Sequence, residues 1–439
     1  MPRLSGIGLL LGFSIGLVLA IVLLSLSVKR NVRSSTFVAR SILWGHMLTI
    51  VAMWPAVGQS GSPPFSQRSL ERFEFGWIVI ATMCVVLTIA SWRERTKPSK
   101  PLIVMAAGLI GVMIAQFVSW KVADASLPMK SYVPMIVIAI CLALFPLDFD
   151  EVVTSLVIIM AVLCTVSIAV MVSGADWAMP VGEPRTLPGP NRNWSLGGLL
   201  MHPNQLGPIA SMGLALVLSN WRRMYGPLVL LFGVTLWLTD SRTQVATALI
   251  VFAVWGVHHL RLQLGWKETV QIVSGLIVSA SIGIVSILAI RDWNVGVPTF
   301  GLARRPDVWA KAFDYWQSSK WVGVGPVAFD DGWVTPNGRK VLGAHNEVMQ
   351  ALAAEGLLGL LPLLCLLYGF AFAVRAAHGR AKFTLVLMSI FGLALISMET
   401  PLRPQQTITG LGILFVSTIF ALVSASSTTG EAESRQVSS

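Results

Sequence analysis

His345 is the residue of this chain whose type and setting best suit acid–base chemistry. It stands in Gly343-Ala344-His345-Asn346-Glu347, where a polar loop gives way to the apolar run that begins at Val348 and carries Glu355 and Gly356. A helix N-terminus bears partial positive charge, which disfavours imidazolium. A histidine held neutral there can accept a proton from a hydroxyl. An isolated histidine at such a place more often only satisfies backbone groups. The second set of chemically suggestive residues is basic. Asp240-Ser241-Arg242-Thr243 joins two apolar stretches, and Arg304-Arg305-Pro306 opens a segment in which Trp309, Ala312 and Trp316 recur at helical spacing. A guanidinium fork matches phosphate oxygens. Arg242 could equally snorkel to lipid headgroups, and the two tryptophans could simply anchor an amphipathic helix along the membrane surface.

Two further polar groups interrupt apolar sequence. Glu355 lies about two turns into its helix, where a carboxylate faces a bundle interior or a cavity. A structural role, paired or protonated, is its ordinary reading. His202-Pro203-Asn204-Gln205-Leu206-Gly207 opens an apolar run after the Pro-rich stretch 184–193, which holds Arg185 and Arg192. Pro203 suits a first helical turn; Asn204 and Gln205 would be polar at the membrane edge, and helix capping is the ordinary reading of the group. Cys84, Cys141, Cys164 and Cys365 all fall inside apolar runs without ligand spacing, so they read as packing residues. Neither a metal site nor a cofactor loop is expected.

These residues need elements to hold them, and composition says which kind. Hydrophobic residues make up 54% of the 439-residue chain and charged residues 12%, about half the charged share of a soluble protein. Lipid offers a backbone no hydrogen-bond partners, so the chain must cross it as helices of about 20 residues. The fold class is therefore all-α and polytopic, with about 12–13 spans, roughly Leu4–Val28, Ser41–Val57, Gly76–Trp92, Pro101–Trp120, Tyr132–Leu147, Val152–Ser173, His202–Ser219, Gly226–Leu238, Arg242–His259, Val270–Ile290, Val348–Val374, Phe383–Met398 and Thr407–Val423. The first does not resemble a signal peptide, because its heavier positive charge follows the apolar stretch. One membrane domain is expected over residues 1–423, followed by a disordered, polar cytoplasmic tail at 424–439.

Lys29, Arg30, Arg33 and Arg40, then Arg93 to Lys100, Arg222 and Arg223, Arg261 and Lys267, and Arg375 to Lys382 occupy alternate loops, which places those loops inside. The short acidic stretch Asp148–Glu151 falls on the same side and fits that pattern poorly. The net charge of +11 is thus partly topological and does not indicate nucleic acid. Two long loops remain outside, at about 174–201 and 291–347. The second holds Arg291, Arg304, Arg305, Lys311, Lys320, Arg339 and Lys340. Such a basic cluster beside a membrane suits an anionic partner such as a phosphate.

Taken together, the motifs resemble the O-antigen ligase and O-antigen polymerase superfamily of bacterial membrane glycosyltransferases. The resemblance rests on His202-Pro-Asn-Gln-Leu-Gly, Asp240-Ser-Arg-Thr, Arg305 with Trp309 and Trp316, the Gly-rich turn Trp321-Val-Gly-Val-Gly-Pro, and Ala344-His-Asn-Glu followed by Glu355-Gly-Leu-Leu-Gly. It covers the motif-bearing region 201–360. It implies a metal-independent, cofactor-free transfer at the periplasmic face of a bacterial inner membrane. The donor would be a glycan on undecaprenyl pyrophosphate, and the acceptor a glycolipid such as lipid A core or another lipid-linked glycan. Arg242 and Arg305, or Arg304 in place of Arg305, would hold the pyrophosphate, and His345 would deprotonate or orient the acceptor hydroxyl. Asn346, Glu355, Asn204 and Arg192 would support them. A ligase is favoured over a polymerase of repeat units. A lipid or sugar transporter is the reading from another class, but transporters place polar sites near the bilayer midplane, whereas here they gather at one face.

Overall fold

The computed structural model describes residues 78–86, 88–89, 97–123, 129–144, 147–173, 195–200, 203–221, 225–264, 305–325, 343–402 and 411–438. The spans expected at Leu4–Val28, Ser41–Val57 and Val270–Ile290, and most of the two long loops, lie outside them. The described residues form helices and no strand. After the helical residues 78–86, these are α1 (Lys100–Val122), α2 (Met129–Leu144), α3 (Phe149–Val172), α4 (Pro203–Ser219), α5 (Gly226–Thr239), α6 (Arg242–Leu264), α7 (Arg305–Ser318), α8 (Glu347–Ala376), α9 (Gly379–Met398) and α10 (Leu411–Ser438).

Five of them, α1, α3, α6, α8 and α9, are long and apolar enough to cross a membrane, and the chain is a multi-pass membrane protein as its composition requires. The 14 residues of α5 and 16 of α2 give about 21 and 24 Å of helix, short of the roughly 30 Å hydrocarbon core.

The bundle is organised around α4. Every residue from Gln205 to Ser219 is buried, the pattern of a helix surrounded on all sides. Its small residues admit close neighbours: a Cβ at Gly213 would sit 2.5 Å from the ring of Phe232. Helices α1 and α8 form the closest pair. Gly108 abuts the backbone of Leu366, and Gly369 abuts that of Met105, so the two run antiparallel in backbone contact, as small residues allow in membranes.

The two ends of the bundle differ in chemistry. At one end lie the start of α1, the start of α3, the end of α6, the end of α8 and the start of α9, with Lys100, Arg261, Arg375, Arg380 and Lys382. The acidic stretch 148–151 belongs here for a structural reason. Asp148 caps α3 by accepting from the Glu151 amide at 2.9 Å, and Asp150 takes both guanidinium arms of Arg380 at 3.3 and 3.4 Å. An aromatic group marks the same end, with Trp221 against Trp255 and His258 stacked on Phe383 at 4.0 Å. At the opposite end α3 hands over to α4. The hydroxyl of Ser167 accepts from Leu199 N, and Leu196 N donates to Leu238 O at the end of α5.

One expectation differs from what the fold shows. Helix α10 runs on to Ser438 through the segment set apart as a disordered tail, and Ser424 and Ser426 are buried. Ser426 and Ser427 turn their hydroxyls back onto Val423 O, so polar side chains continue the helix without needing water. In α7 the packed face is Val308, Ala312 and Tyr315. It lies against Ala344, Met349 and Ala353 of the α8 region. Small residues there accept Val308 and Ala312, while the two indoles flank the contact and spend their N–H groups on carbonyls at its edge.

Candidate active site

The end of the bundle away from the basic loops gathers the chemical motifs, and each is shaped by its backbone. Among the described residues, Asp240 and His345 are the two non-glycine residues with positive φ, 53° and 47°. Such conformations cost energy outside glycine and cluster where structure is over-determined. Asp240 is the left-handed cap that ends α5. Ser241 follows, buried against Gly207 of α4, and Arg242 is the first residue of α6. The Asp-Ser-Arg-Thr motif is therefore a tight turn between two helices, and it packs on the His-Pro-Asn-Gln-Leu-Gly motif. Ser211 extends that contact by donating to Gln244 O at 3.0 Å. Asn204 is the second residue of α4 and half-buried.

His345 is held on both sides. Ala344 N donates to Gln350 Oε1 at 3.0 Å, and Ala344 O accepts from Trp309 Nε1 at 3.0 Å. Asn346 caps α8 by accepting from Met349 N at 3.0 Å, and its Nδ2 donates to Ser397 O near the end of α9, also at 3.0 Å. Glu347 is buried and accepts from Leu402 N at 3.1 Å. The start of α8 is thereby sewn to the end of α9. The His345 imidazole is half-exposed and turns Nδ1 toward Glu399, 3.7 Å from its Oε2.

Helix α7 runs beside the first turns of α8, from Trp309 at Ala344 to Lys320 at Leu357. Arg305 is its first residue, one turn before Trp309, so the backbone sets it at the His345 end. The registration at the other end of α7 comes from a break in α8. Gly356 has φ 66° and ψ −152°, which interrupts the helical ladder. The turn after α7 fills the gap. Val324 N and Gly325 N donate to Ala353 O and Ala354 O at 2.9 and 3.0 Å, while Leu357 N and Leu358 N donate to Lys320 O and Trp321 O at 2.9 and 3.0 Å. The Ser119 hydroxyl of α1 also donates to Ala354 O. Only glycines permit this approach: a Cβ at Gly323 would lie 2.3 Å from the Ala354 carbonyl carbon, and one at Gly356 2.5 Å from that of Trp321. The Gly-rich turn and the Glu-Gly-Leu-Leu-Gly motif are thus two halves of one joint. Glu355 is buried at that joint, with its side chain over Gly359. Helix α8 spans 30 residues, about 45 Å, but the part beyond Gly356 is about 30 Å long, the thickness of hydrocarbon. Glu355 therefore lies where a span of membrane length ends, not deep within one.

The backbone brings His345, Asn346 and the starting residues of α4, α6 and α7 to one end of the bundle. Arg304 and Arg192 lie outside the described residues. Glu399 is the residue that sequence reasoning missed. It stands in the short Met398-Glu399-Thr400 turn between two apolar stretches, and only its proximity to His345 singles it out. Among the described residues no cluster of His, Cys, Asp or Glu could hold a metal ion.

Residues 227–364 match the sequence model of the O-antigen ligase family. The match begins in α5 and ends in α8, taking in Arg242, Arg305, His345 and Glu355, and it bears out the superfamily resemblance read from the motifs. No curated protein matches the chain.

Proposed function

We propose that this chain, whose residues 227–364 match the O-antigen ligase family model, is a membrane glycosyltransferase of the O-antigen ligase and polymerase superfamily, moving a glycan from undecaprenyl pyrophosphate to a hydroxyl of a glycolipid acceptor. What supports the reading is that His345 and the first residues of α6 and α7, Arg242 and Arg305, stand at the same end of the bundle. An attacking hydroxyl needs a proton acceptor, and His345 is half-exposed at that end. A departing pyrophosphate needs its charge offset, which guanidinium groups provide without a metal. Arg304 is a further candidate for the same phosphate, and Asn346, Asn204, Glu355 and Arg192 are candidate supporting residues. Lys100, Arg261, Arg375, Arg380 and Lys382 collect at the other end, so the positive-inside tendency favours an outward, periplasmic site in an inner membrane.

A ligase is favoured because the matching family bears that description; a polymerase would use the same chemistry on a different acceptor. The transporter reading loses support at the break in α8. Broken helices in transporters offer freed backbone groups to substrate, whereas here Lys320 to Gly325 occupy four of them. The test is transfer by purified protein in nanodiscs, using lipid-linked glycans extracted from its native membrane, with lipid A core and lipid-linked glycan as alternative acceptors. Product on lipid A core supports the ligase, elongated lipid-linked product supports the polymerase, and no product on either acceptor refutes the enzyme.

A further inference from the structure

Glu399 lies beyond both the motif-bearing region 201–360 and the segment that matches the family. Its side chain is 6% exposed, that of His345 is 44% exposed, and Oε2 to Nδ1 is 3.7 Å. This is ion-pair reach, slightly longer than a direct hydrogen bond, and such contacts often tighten when substrate is bound. We propose that Glu399 is the positioning residue of the transfer reaction, taking the Nδ1 side of His345 so that Nε2 faces the acceptor hydroxyl as the proton-accepting nitrogen. The inference rests on the reading of His345 as the base.

A neutral imidazole carries one proton, and which nitrogen holds it is set by the partner of the other. A carboxylate beside Nδ1 favours the proton there and leaves the Nε2 lone pair free. Buried charge is screened little by salt and water, so the carboxylate also stabilises the imidazolium that forms. The surroundings hold the two residues in register. Asn346 bonds Ser397 O, two residues before Glu399. Glu399 N closes α9 on Leu395 O at 2.8 Å. Leu402 N, three residues after Glu399, bonds the carboxylate of Glu347. The left-handed backbone of His345 completes the arrangement. In the step itself the acceptor oxygen bonds to the anomeric carbon, and its proton passes to Nε2. The bond from that carbon to the pyrophosphate oxygen breaks, and its electron pair leaves with the pyrophosphate. Glu399 gains no proton; it orients the ring and offsets its new charge.

The experiment compares Glu399→Gln, Glu399→Asp and His345→Ala in the full chain in nanodiscs. It measures transfer kinetics, thermal stability, binding of undecaprenyl pyrophosphate and the ¹⁵N shifts of the His345 ring. Glu399→Gln should lower kcat by about 10²–10⁴, leave undecaprenyl pyrophosphate binding unchanged and move proton density off Nδ1. Glu399→Asp keeps the charge and should recover part of the turnover. Near-normal kcat in a folded Glu399→Gln protein would overturn the assignment. So would equal losses in both variants that track loss of stability, since that is a purely structural role. If His345→Ala itself turned over normally, the base would be wrong, and the Glu399 inference would fall with it for that separate reason.

Discussion

The indole N–H of Trp309 donates to the carbonyl of Ala344 at 3.0 Å, one residue before His345. Ala344 is fully buried, so this carbonyl has no water to turn to. Trp309→Phe would keep most of the packing and remove the donor. A stability loss of about 1–3 kcal/mol is expected, measured by unfolding in detergent, together with reduced transfer because α7 is no longer pinned to the His345 turn. Trp316→Phe is the comparison. Its N–H meets Lys320 O at an exposed site, so the loss there should be smaller.

The joint between Gly356 and the Trp321–Gly325 turn makes a different demand. Gly356→Ala places a methyl 2.5 Å from the Trp321 carbonyl carbon at a φ of 66°. Backbone strain alone costs about 1–3 kcal/mol at such positions, and the clash adds separation of the two paired segments. Gly379 also has positive φ, 49°, but nothing lies within 4 Å of its Cβ position. Gly379→Ala should therefore show only the strain. Equal melting temperatures for the two variants would mean that the turn is not clamped in the break.

Asn346 performs two functions that substitution can separate. Asn346→Asp keeps an oxygen that accepts from Met349 N and so keeps the cap, but it loses the amide that donates to Ser397 O. Asn346→Ala loses both, and the cap alone is worth about 0.5–2 kcal/mol. If the tie to α9 holds His345 at its working position, Asn346→Asp should retain more stability than the alanine variant yet lose comparable transfer activity. Parallel stability and activity across the two variants would show that the cap is the whole effect.

What the sequence revealed follows from what each signal depends on. Helices and their approximate limits were legible because lipid imposes one backbone solution, and Pro203, Asp240 and Asn346 are local markers of helix ends. The turn at Arg242 and the helix from Arg305 were visible for the same reason. The helix from Arg305 was legible from its spacing, but not which face it packs, because that depends on the small surface of α8 that accepts Val308 and Ala312. The break at Gly356 was written in its glycine, but its filling by Lys320 to Gly325 is a pairing across the fold. Glu399 was invisible because a lone carboxylate after an apolar helix has no pattern, and its meaning comes from a contact 54 residues away in the chain. Helix α10 continues past 424, where Ser426 and Ser427 bond back onto Val423 O, a local pairing that composition does not reveal.

Orientation can be tested apart from catalysis. Lys320 and Lys97 are both exposed, one beside the α8 joint and one before α1 at the basic end. Single cysteines at these positions, in a chain lacking Cys84, Cys141, Cys164 and Cys365, should label differently with a membrane-impermeant maleimide in intact cells. Position 320 should react directly and position 97 only after the membrane is opened. The reverse pattern would put the His345 end inside and remove the periplasmic reaction.

The roles of the arginines and the histidine should separate in kinetics. If the imidazole acts on the acceptor hydroxyl as proposed, His345→Ala should lower transfer by about 10²–10³, the usual scale for removing one transition-state contributor, while undecaprenyl pyrophosphate still binds. If Arg242 and Arg305 hold the leaving group as proposed, Arg242→Ala and Arg305→Ala should lose turnover and also weaken that binding. Lysine at either position should restore only part of the activity: an ammonium supplies the charge but not the planar two-point contact. Arg304→Ala distinguishes register, because the larger loss should fall on whichever of the two neighbours reaches the phosphate. Transfer should survive exhaustive chelation of divalent ions. If chelation stopped the reaction and magnesium restored it, guanidinium groups alone would not account for the departure of pyrophosphate. Loss of transfer in the arginine variants with unaltered undecaprenyl pyrophosphate binding would move Arg242 and Arg305 away from the leaving group.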